Sequence, residues 1–375
     1  MMLSEQHKLI QDLARSFAQK EISMYAKALD AEGKFPTEII QKLAALGLMG
    51  ISVPQSDGGS GLDHLSYVLA LEEIAVACAS TAVIMSVNNS LVCEPLLLFG
   101  SEAQKKKYLV PLASGKQLGC FCLSEPDAGS DAGNQQTVAQ KKEGKYILTG
   151  TKNFITNGPQ ADIAIVFAKT DRTLKKKGIS AFVVEKKWPG IEVGKIEKKM
   201  GIRASGCSQV IFQDVEVPAE NLLGEEGQGF KIALRTLDSG RIGIGAQSVG
   251  IARAALEAAT AYAKERKQFG QPIFEFQAIQ WMLADMATQI DAARLLVHRA
   301  AILQGANHSF SKEAAMAKLY ASQTAMKVTT DAIQIFGGYG YTQDYPVERF
   351  FRDAKITEIY EGTSEIQRLV IAAHL

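Results

Sequence analysis

With 375 residues, the chain exceeds the roughly 250–300 residues at which a single hydrophobic core stops growing, so two or three packed domains are expected. Apolar residues make up 47% and charged residues 22%, which is ordinary for a soluble globular protein. Because 41 basic residues nearly balance 40 acidic ones, the composition argues against nucleic acid or a membrane surface as a partner.

Cysteine and histidine are both sparse. Five cysteines, an odd number, are too few for a disulfide scaffold, and no second pair of ligands stands at the spacing of a metal site. The five histidines are scattered along the chain, without an HxxxH or HxH pair. The sequence therefore predicts reduced thiols and no metal site.

Residues 1–117 form the first predicted region, which is helical. Apolar side chains recur at helical spacing at Leu9, Ile10, Leu13 and Phe17, among charges of both signs that suit neither a signal peptide nor a transit peptide. A second helix is predicted to begin at Pro36, because proline favours the first turn of a helix.

Residues 65–98 are rich in alanine, leucine and valine and are apolar nearly all round, which is typical of a helix inside a bundle. No apolar run is expected to reach the roughly 20 residues that a membrane-spanning helix needs. We therefore expect a soluble protein of the cytoplasm, or of the mitochondrial matrix if a eukaryotic leader has been removed.

Residues 118–224 change in character. Short segments rich in valine, isoleucine, phenylalanine and tyrosine alternate with clusters of glycine, aspartate, asparagine and lysine, and no segment of helix length intervenes. This pattern predicts an antiparallel β-barrel or sandwich.

Residues 225–375 return to helical patterns. Predicted helices span about 230–266, begin near 276 and near 311, and resume after 362, with a glycine-rich break at 337–341. Helices, then strands, then helices indicate an α+β multidomain fold, in which a small β domain (118–224) is inserted between two helical domains.

Two motifs of the central region offer candidate binding groups. LSEPDAGSD follows a strand and presents hydroxyls at Ser124 and Ser130, although an ordinary strand-to-strand loop is the simpler interpretation of this motif alone. KNFITNG places Phe154 and Thr156 on one face of a strand, where an aromatic ring and a hydroxyl can cover a planar ligand and bond its edge. A hairpin turn at Asn-Gly is the alternative, and it is compatible with a site.

Three motifs of the last region are weaker when taken singly. Arg266 in ERKQFG can bind a phosphate or pair locally, and QIFGGYGY fits neither glycine-rich nucleotide-binding pattern. In IYEGTSEIQRLV, Ser364 and Gln367 have capping-box spacing, which predicts a helix beginning near Thr363 with amides free to bind an anion. Glu361 is either a surface glutamate favoured by the helix dipole or a catalytic group.

Together these motifs resemble the acyl-CoA dehydrogenase family in their order and spacing. The similarity covers essentially the whole chain, including CASTAVIMSVNNSL in the first region and TLDSGRIGIGAQSVGIA in the third, and it is greatest to the short-chain, or butyryl-CoA, branch. The resemblance implies an N-terminal helical domain, a central antiparallel β-barrel domain and a C-terminal four-helix bundle.

The resemblance also implies a site, residue by residue. Glu361 matches the base that removes the substrate α-proton, while its own backbone N–H and a cofactor hydroxyl stabilise the thioester oxygen. The positions that match FAD contacts are Phe121, Leu123, Ser124, Ser130, Phe154 (tryptophan in many relatives), Ile155, Thr156, Arg266, Lys267, Gln268, Phe276, Gln277, Gln334, Ile335, Phe336, Gly337, Gly338, Thr363, Ser364 and Glu365. The positions that match acyl-CoA contacts are Ser130, Asp238, Ser239, Gly240, Arg241 and Gly362.

Gly240 distinguishes between branches of the family. Some branches, including the isovaleryl-CoA dehydrogenases, carry the base near this position, where glycine has no side chain to offer. The resemblance therefore assigns the base to Glu361, and a glutamate there argues against the related nitroalkane oxidases, which resemble a version with aspartate.

The implied function is FAD-dependent α,β-dehydrogenation of short-chain acyl-CoA, with hydride transfer to the flavin and electrons passed to an electron-transferring flavoprotein. An acyl-CoA oxidase that uses dioxygen is one alternative, although oxidases usually carry a further C-terminal domain. A non-catalytic, flavin-binding family member is the other. A homotetramer, built as a dimer of dimers, is expected because Arg266 and the segment 334–338 match segments that complete a neighbour's cofactor site.

Overall fold

A computed structural model describes residues 3–375 and contains the predicted succession of helices, strands and helices. The helices before the sheet are α1 (Glu5–Phe17), α2 (Ala26–Glu32), α3 (Thr37–Ala45), α4 (His64–Ala77), α5 (Ala79–Ser86), α6 (Glu94–Phe99), α7 (Glu102–Gln104) and α8 (Val110–Ala113), with π-helical turns at Ala18–Ile22, Val87–Cys93 and Lys105–Leu109.

The first helix forms where its periodicity predicts it, and only part of its apolar set faces inward. Ser4 caps α1 through a capping box with His7, and the helix packs on α4. The buried side chains are Ile10 and Ala14, whereas Leu9 is 64% and Leu13 is 41% exposed. Of the four apolar positions that predict the helix, Ile10 is therefore buried and Phe17 is half-buried, while Leu9 and Leu13 face outward. Proline at position 36 caps α3, which confirms the second helix.

The apolar stretch 65–98 is broken at Cys78, whose backbone is extended between α4 and α5. The 21-residue helical segment Ala79–Phe99 has a mean hydropathy of 1.5 and is long enough to cross a membrane, although Asn88, Asn89 and Glu94 interrupt its apolar residues. However, 83% of its most apolar window is buried inside the protein, which is what a core helix of a bundle shows.

The central region forms one eight-stranded sheet in the order β6-β7-β3-β2-β4-β5-β8, with β1 beside β4. Most neighbours are antiparallel as predicted, but β1 pairs with β4 in parallel and β2 meets β4 in parallel, so a purely antiparallel arrangement was wrong. The pairings run from β6 to β8 without joining these two ends. The strands are β1 (Gly119–Cys122), β2 (Val138–Lys142), β3 (Lys145–Thr156), β4 (Ile163–Lys169), β5 (Ile179–Glu185), β6 (Ile191–Ile196), β7 (Cys207–Pro218) and β8 (Leu222–Leu223).

The last region is built on three long helices that pack on one another, and a fourth, α12, packs against α9 and α11. The predicted positions of the long helices are confirmed, whereas α12 was not predicted; it begins directly after Pro346. The elements are α9 (Gly229–Glu265), a hairpin of β9 (Lys267–Gln268) and β10 (Gln271–Pro272), α10 (Gln277–Gly305), α11 (Ser311–Phe336), α12 (Val347–Thr357) and α13 (Ser364–Ala372).

Candidate active site

Glu361 lies in the tight turn between α12 and α13. Its backbone is left-handed, with φ +52°, and Gly362 follows with φ +97°. A non-glycine residue rarely adopts this conformation, and it persists only where the surroundings impose it. The turn directs the side chain inward, so that Oε2 of the carboxylate is buried and has no hydrogen-bond partner among the described residues.

The Glu361 carboxylate packs directly against Gly240 in the middle of α9. A Cβ atom added at Gly240 would overlap Oε2 of Glu361 and would lie 2.8 Å from Cδ2 of Leu91. Glycine at this position therefore provides the space that the carboxylate occupies. The two positions at which branches of the family are expected to carry the base therefore lie in direct contact.

Burial raises the pKa of Glu361 to about 7, against the lowering effect of the nearby Lys318 and Arg241. A carboxylate in water holds its proton weakly, and desolvation makes it a stronger base. With a pKa near neutrality, Glu361 is suited to accept a proton from a weakly acidic carbon.

The segment 238–241 is buried on α9, and its side chains contact two different sets of residues. Arg241 pairs with Asp238 at 2.5 Å and lies near Glu361, which fits a role beside the substrate. Ser239 instead donates to Oε1 of Glu94 at 2.6 Å and accepts from Gln304 at 2.9 Å, so its hydroxyl is engaged inside the protein.

The helix α13 begins as predicted, but its cap differs from the predicted capping box. Thr363 is the N-cap, and its hydroxyl accepts from the backbone N–H of Ile366. Ser364 is already inside the helix. The side chain of Gln367 donates to the carbonyl oxygen of Gly362 at 2.8 Å rather than to a cap, and Glu365 is exposed.

A second part of the candidate site lies on the sheet domain, where two predicted segments are joined. The backbone N–H of Asn153 donates to the carbonyl of Ser124 at 2.8 Å, so the LSEPDAGSD loop runs beside the end of β3. Phe154 stands at a register shift between β3 and β7, with φ +57° and 64% exposure, next to the half-buried Thr156. An exposed aromatic ring in a strained backbone is a surface that a planar ligand can cover.

Not every residue predicted to contact the cofactor on the sheet domain presents its side chain. Ile155 is 2% exposed in the sheet-domain core and Leu123 is 6% exposed, so contact of these two residues with a cofactor would run through their backbones, and both stay predictions. Phe121 is partly buried and packs edge-on against Phe167, while Ser130 is exposed in its loop.

A buried ion pair connects the LSEPDAGSD loop to β3. Nζ of Lys152 contacts Oε1 of Glu125 at 2.8 Å, and it also donates to Gln135 and to the carbonyl of Leu123. Glu125 in turn accepts from the backbone N–H of Thr137 at 3.0 Å. The network fixes the loop that carries Ser124 to the strand that carries Phe154.

The remaining predicted cofactor residues form an exposed cluster at one end of the C-terminal helices. Arg266 lies over the ring of Tyr339 at 5.5 Å, which joins the hairpin to the glycine-rich turn after α11. The members that are exposed or partly exposed are Arg266, Lys267, Gln268, Phe276, Gln277, Gln334, Gly337 and Gly338. Ile335 and Phe336 are instead buried, and Phe336 stacks on Tyr262, so contact of these two with a cofactor would run through their backbones and stays a prediction.

Two buried residues near the predicted site, Lys318 and Lys152, were missed by sequence reasoning, and Gln367 was predicted only as part of a capping box. Lys318 donates to the carbonyl of Gly362 at 2.7 Å, Gln367 holds the same turn, and Lys152 anchors the sheet-domain loop. Lys318 carried a usable signal, because alanines at positions 314, 317 and 321 mark a buried face on which a lysine is out of place. Within residues 3–375, no group of three or more potential metal ligands is found.

Comparison with known proteins identifies relatives along the whole chain. The family models of the acyl-CoA dehydrogenase N-terminal, middle and C-terminal domains match residues 4–116, 120–215 and 227–375. The chain is 51% identical over 373 residues to the short-chain-specific acyl-CoA dehydrogenase of Clostridium acetobutylicum, covering 100% of this chain and 98% of that protein.

Two solved structures are similar over the full length. Butyryl-CoA dehydrogenase from Megasphaera elsdenii superimposes with a TM-score of 0.99 at 50% identity, covering 100% of this chain and 99% of that one. A chain from the structure reported for the electron transferring flavoprotein of Acidaminococcus fermentans gives a TM-score of 0.99 at 52% identity, with coverage of 100% and 98%.

Proposed function

The chain belongs to the acyl-CoA dehydrogenase family, and from that premise we propose that it oxidises short-chain acyl-CoA thioesters to trans-2-enoyl-CoA with FAD as its cofactor. The observation that carries the proposal is the Glu361 carboxylate, which is buried without a partner, has a pKa of about 7 and packs against Gly240. The strained backbone of the turn before α13 directs the Glu361 side chain inward.

The catalytic step begins with the proton of the substrate α-carbon. Glu361 accepts this proton at its carboxylate, whose basicity comes from desolvation. The backbone N–H of Glu361 makes none of the backbone hydrogen bonds that organise the turn from 358 to 364, which supports its role as a donor to the developing thioester oxyanion. Such a donor contributes roughly 3–4 kcal/mol to lowering the barrier.

The sheet-domain face has the chemistry that a flavin ring requires. Phe154 offers an exposed aromatic surface, and the partly exposed Ser124 and Thr156 carry hydroxyls on the adjoining loop and on the same strand. FAD held there would supply the acceptor for the β-hydrogen of the substrate, which leaves as a hydride and which no amino-acid side chain can accept. We assign Ser124, Phe154 and Thr156 to the ring, and the exposed cluster around Arg266 to the phosphate and adenosine half.

The partners follow from the same assignment. The exposed cluster is open in a single chain: Phe269 is 94% and Tyr341 is 91% exposed, and a Cβ at Gly337 or Gly338 would meet no atom within 4 Å. This supports a homotetramer in which the cluster completes a neighbour's cofactor site. We propose an electron-transferring flavoprotein as the acceptor, by analogy with the relative from Acidaminococcus, and a cytoplasmic location, or the mitochondrial matrix for a processed chain.

Anaerobic titration of the purified holoenzyme with acyl-CoA of four to eight carbons tests the proposal. Butyryl-CoA is expected to bleach the flavin, with a higher kcat/KM than octanoyl-CoA, because each added methylene gains only ~0.8 kcal/mol if it can be buried and produces a clash if it cannot. A preference for octanoyl-CoA would exclude the short-chain assignment. Oxygen consumption during turnover would favour the alternative, an acyl-CoA oxidase, and failure of every acyl-CoA to bleach the flavin would favour a non-catalytic family member.

A further inference from the structure

The turn that carries Glu361 is held by two side chains from different helices. The carbonyl oxygen of Gly362 accepts from Nζ of Lys318 at 2.7 Å and from Nε2 of Gln367 at 2.8 Å. Gln367 also donates to the carbonyl of Glu361 at 3.3 Å. The left-handed conformation of Glu361 is thus fixed by donors from both α11 and α13.

Lys318 is an unusual residue for its position. Its side chain is fully buried on a face of α11 where the neighbours are alanines, and among the described residues its only hydrogen bond goes to Gly362. A buried ammonium is unfavourable unless it is paired, and an apolar side chain would fill the same space without that penalty. Packing alone therefore does not account for a lysine here.

The charges around Glu361 come from several elements. Lys318 of α11 and Arg241 of α9 lie close enough to favour its ionised form, while Tyr67 of α4 and the adjacent Tyr360 are buried near it and uncharged at neutral pH. Arg241 is already paired with Asp238. Lys318 forms no ion pair within 4 Å of any carboxylate in residues 3–375, so its charge acts on the site at longer range.

We propose that Lys318 is a positioning residue for Glu361: its ammonium fixes the Gly362 carbonyl, and so the left-handed turn, while its charge favours the ionised carboxylate. The inference rests on the proposed role of Glu361 as the base. Lys318 touches neither the reacting atoms nor the exposed cofactor cluster, and it acts only through the turn and through its field. Gln367 supports the same turn without contributing charge.

Two variants separate the two effects of Lys318. Lys318→Met removes both the donor and the charge, whereas Gln367→Leu removes a donor to the same carbonyl and leaves the charge in place. Lys327→Met is the matched control, because Lys327 lies on the same helix but is exposed and pairs with Asp331. Each holoenzyme is measured by anaerobic flavin reduction with butyryl-CoA across pH, and by backbone hydrogen exchange over residues 358–367.

For Lys318→Met we expect flavin reduction to slow about 10²-fold, the scale of a misplaced catalytic group. The acid limb of its pH profile should move to higher pH by on the order of one unit, because a nearby positive charge is lost. Gln367→Leu should also slow reduction and should leave the acid limb in place. Both should speed hydrogen exchange in 358–367, and Lys327→Met should change nothing.

A Lys318→Met enzyme with full FAD content, the wild-type rate, an unmoved acid limb and unchanged exchange would overturn the proposal. If Lys318→Met does not fold, Gln367→Leu decides the matter: wild-type rate and exchange in that variant would show that the turn needs no donors at Gly362. If none of the acyl-CoA substrates reduces the flavin of the wild-type enzyme, the proposed function fails. The hydrogen-exchange measurement still tests whether Lys318 holds the turn.

Discussion

A buried lysine and a buried glutamate occur together in two regions of the molecule, with opposite results. In the sheet domain, Lys152 contacts Glu125 at 2.8 Å. Burial raises the pKa of Glu125, but the Lys152 ammonium and the backbone amide of Gln136 together bring this pKa below its usual value. In the C-terminal helices, Lys318 is directed to a backbone carbonyl, and the pKa of Glu361 rises to about 7.

The two lysines themselves are alike, because burial lowers the pKa of each to about 8, against the raising effect of the neighbouring glutamate. The difference therefore lies in where the ammonium points. A carboxylate that receives the ammonium and backbone N–H groups is a stable anion that holds two segments together. A carboxylate left without a partner is a base.

The largest effect is expected from Glu361→Gln, which keeps the shape of the side chain and removes the basic carboxylate. Flavin reduction by butyryl-CoA should fall by at least the ~10²–10⁴-fold typical of losing a general base. FAD content and acyl-CoA binding should stay near normal, because the Thr363 cap is not altered. Reduction at close to the wild-type rate in anaerobic stopped flow would show that Glu361 is not the base but only a carboxylate at the start of a helix.

Gly240→Ala tests whether the position of the unpartnered Glu361 carboxylate matters, because it moves the carboxylate without removing it. The new methyl group would overlap Oε2 of Glu361 and press on Leu91, so both side chains must shift, and we expect flavin reduction to slow about 10²-fold. Gly305→Ala is the control, because a Cβ there meets only His64, at 3.9 Å. Equal rates for both variants would mean that packing on Gly240 does not direct the carboxylate.

Glu125→Gln tests the ion-paired glutamate of the sheet domain through its effect on stability. It leaves Lys152 buried without an anion, and the free energy of unfolding in urea should fall by about 3 kcal/mol. Glu361→Gln should instead be neutral or stabilising above pH 7, because it removes a buried charge with no partner. Adding Lys152→Met to Glu125→Gln should recover much of the loss, and no recovery would show that the ion pair is not the cause.

The smallest effect is the pH dependence of the wild-type rate. Glu361 must be ionised to accept a proton, and its raised pKa places this transition near pH 7. The rate of flavin reduction in free enzyme should therefore rise with pH through about 7 and then level, with up to a tenfold fall per pH unit on the acid side. An acid limb near the usual glutamate pKa of about 4.3 would show that the carboxylate is solvated.

Local sequence predicted most helices but not their contacts. The periodicity of residues 5–17 gave a helix, yet the inward face was set by packing on α4, which left Leu9 and Leu13 outside. Thr363 and Ser364 are adjacent hydroxyl residues, and either could cap a helix that shifts by one position, so local pattern could not choose between them. In the folded chain the cap is Thr363, directly after the Gly362 carbonyl that accepts from Lys318 and Gln367.

The sequence by itself determined the succession of helices, strands and helices, because periodicity and turn residues act over a few positions, and its motif order indicated the family and Glu361 as the base. Only the tertiary structure decided the proton affinities. Glu361, Gly240 and Lys318 are far apart in the chain, and desolvation, contact and charge act through space once α9, α11 and the turn before α13 are packed together.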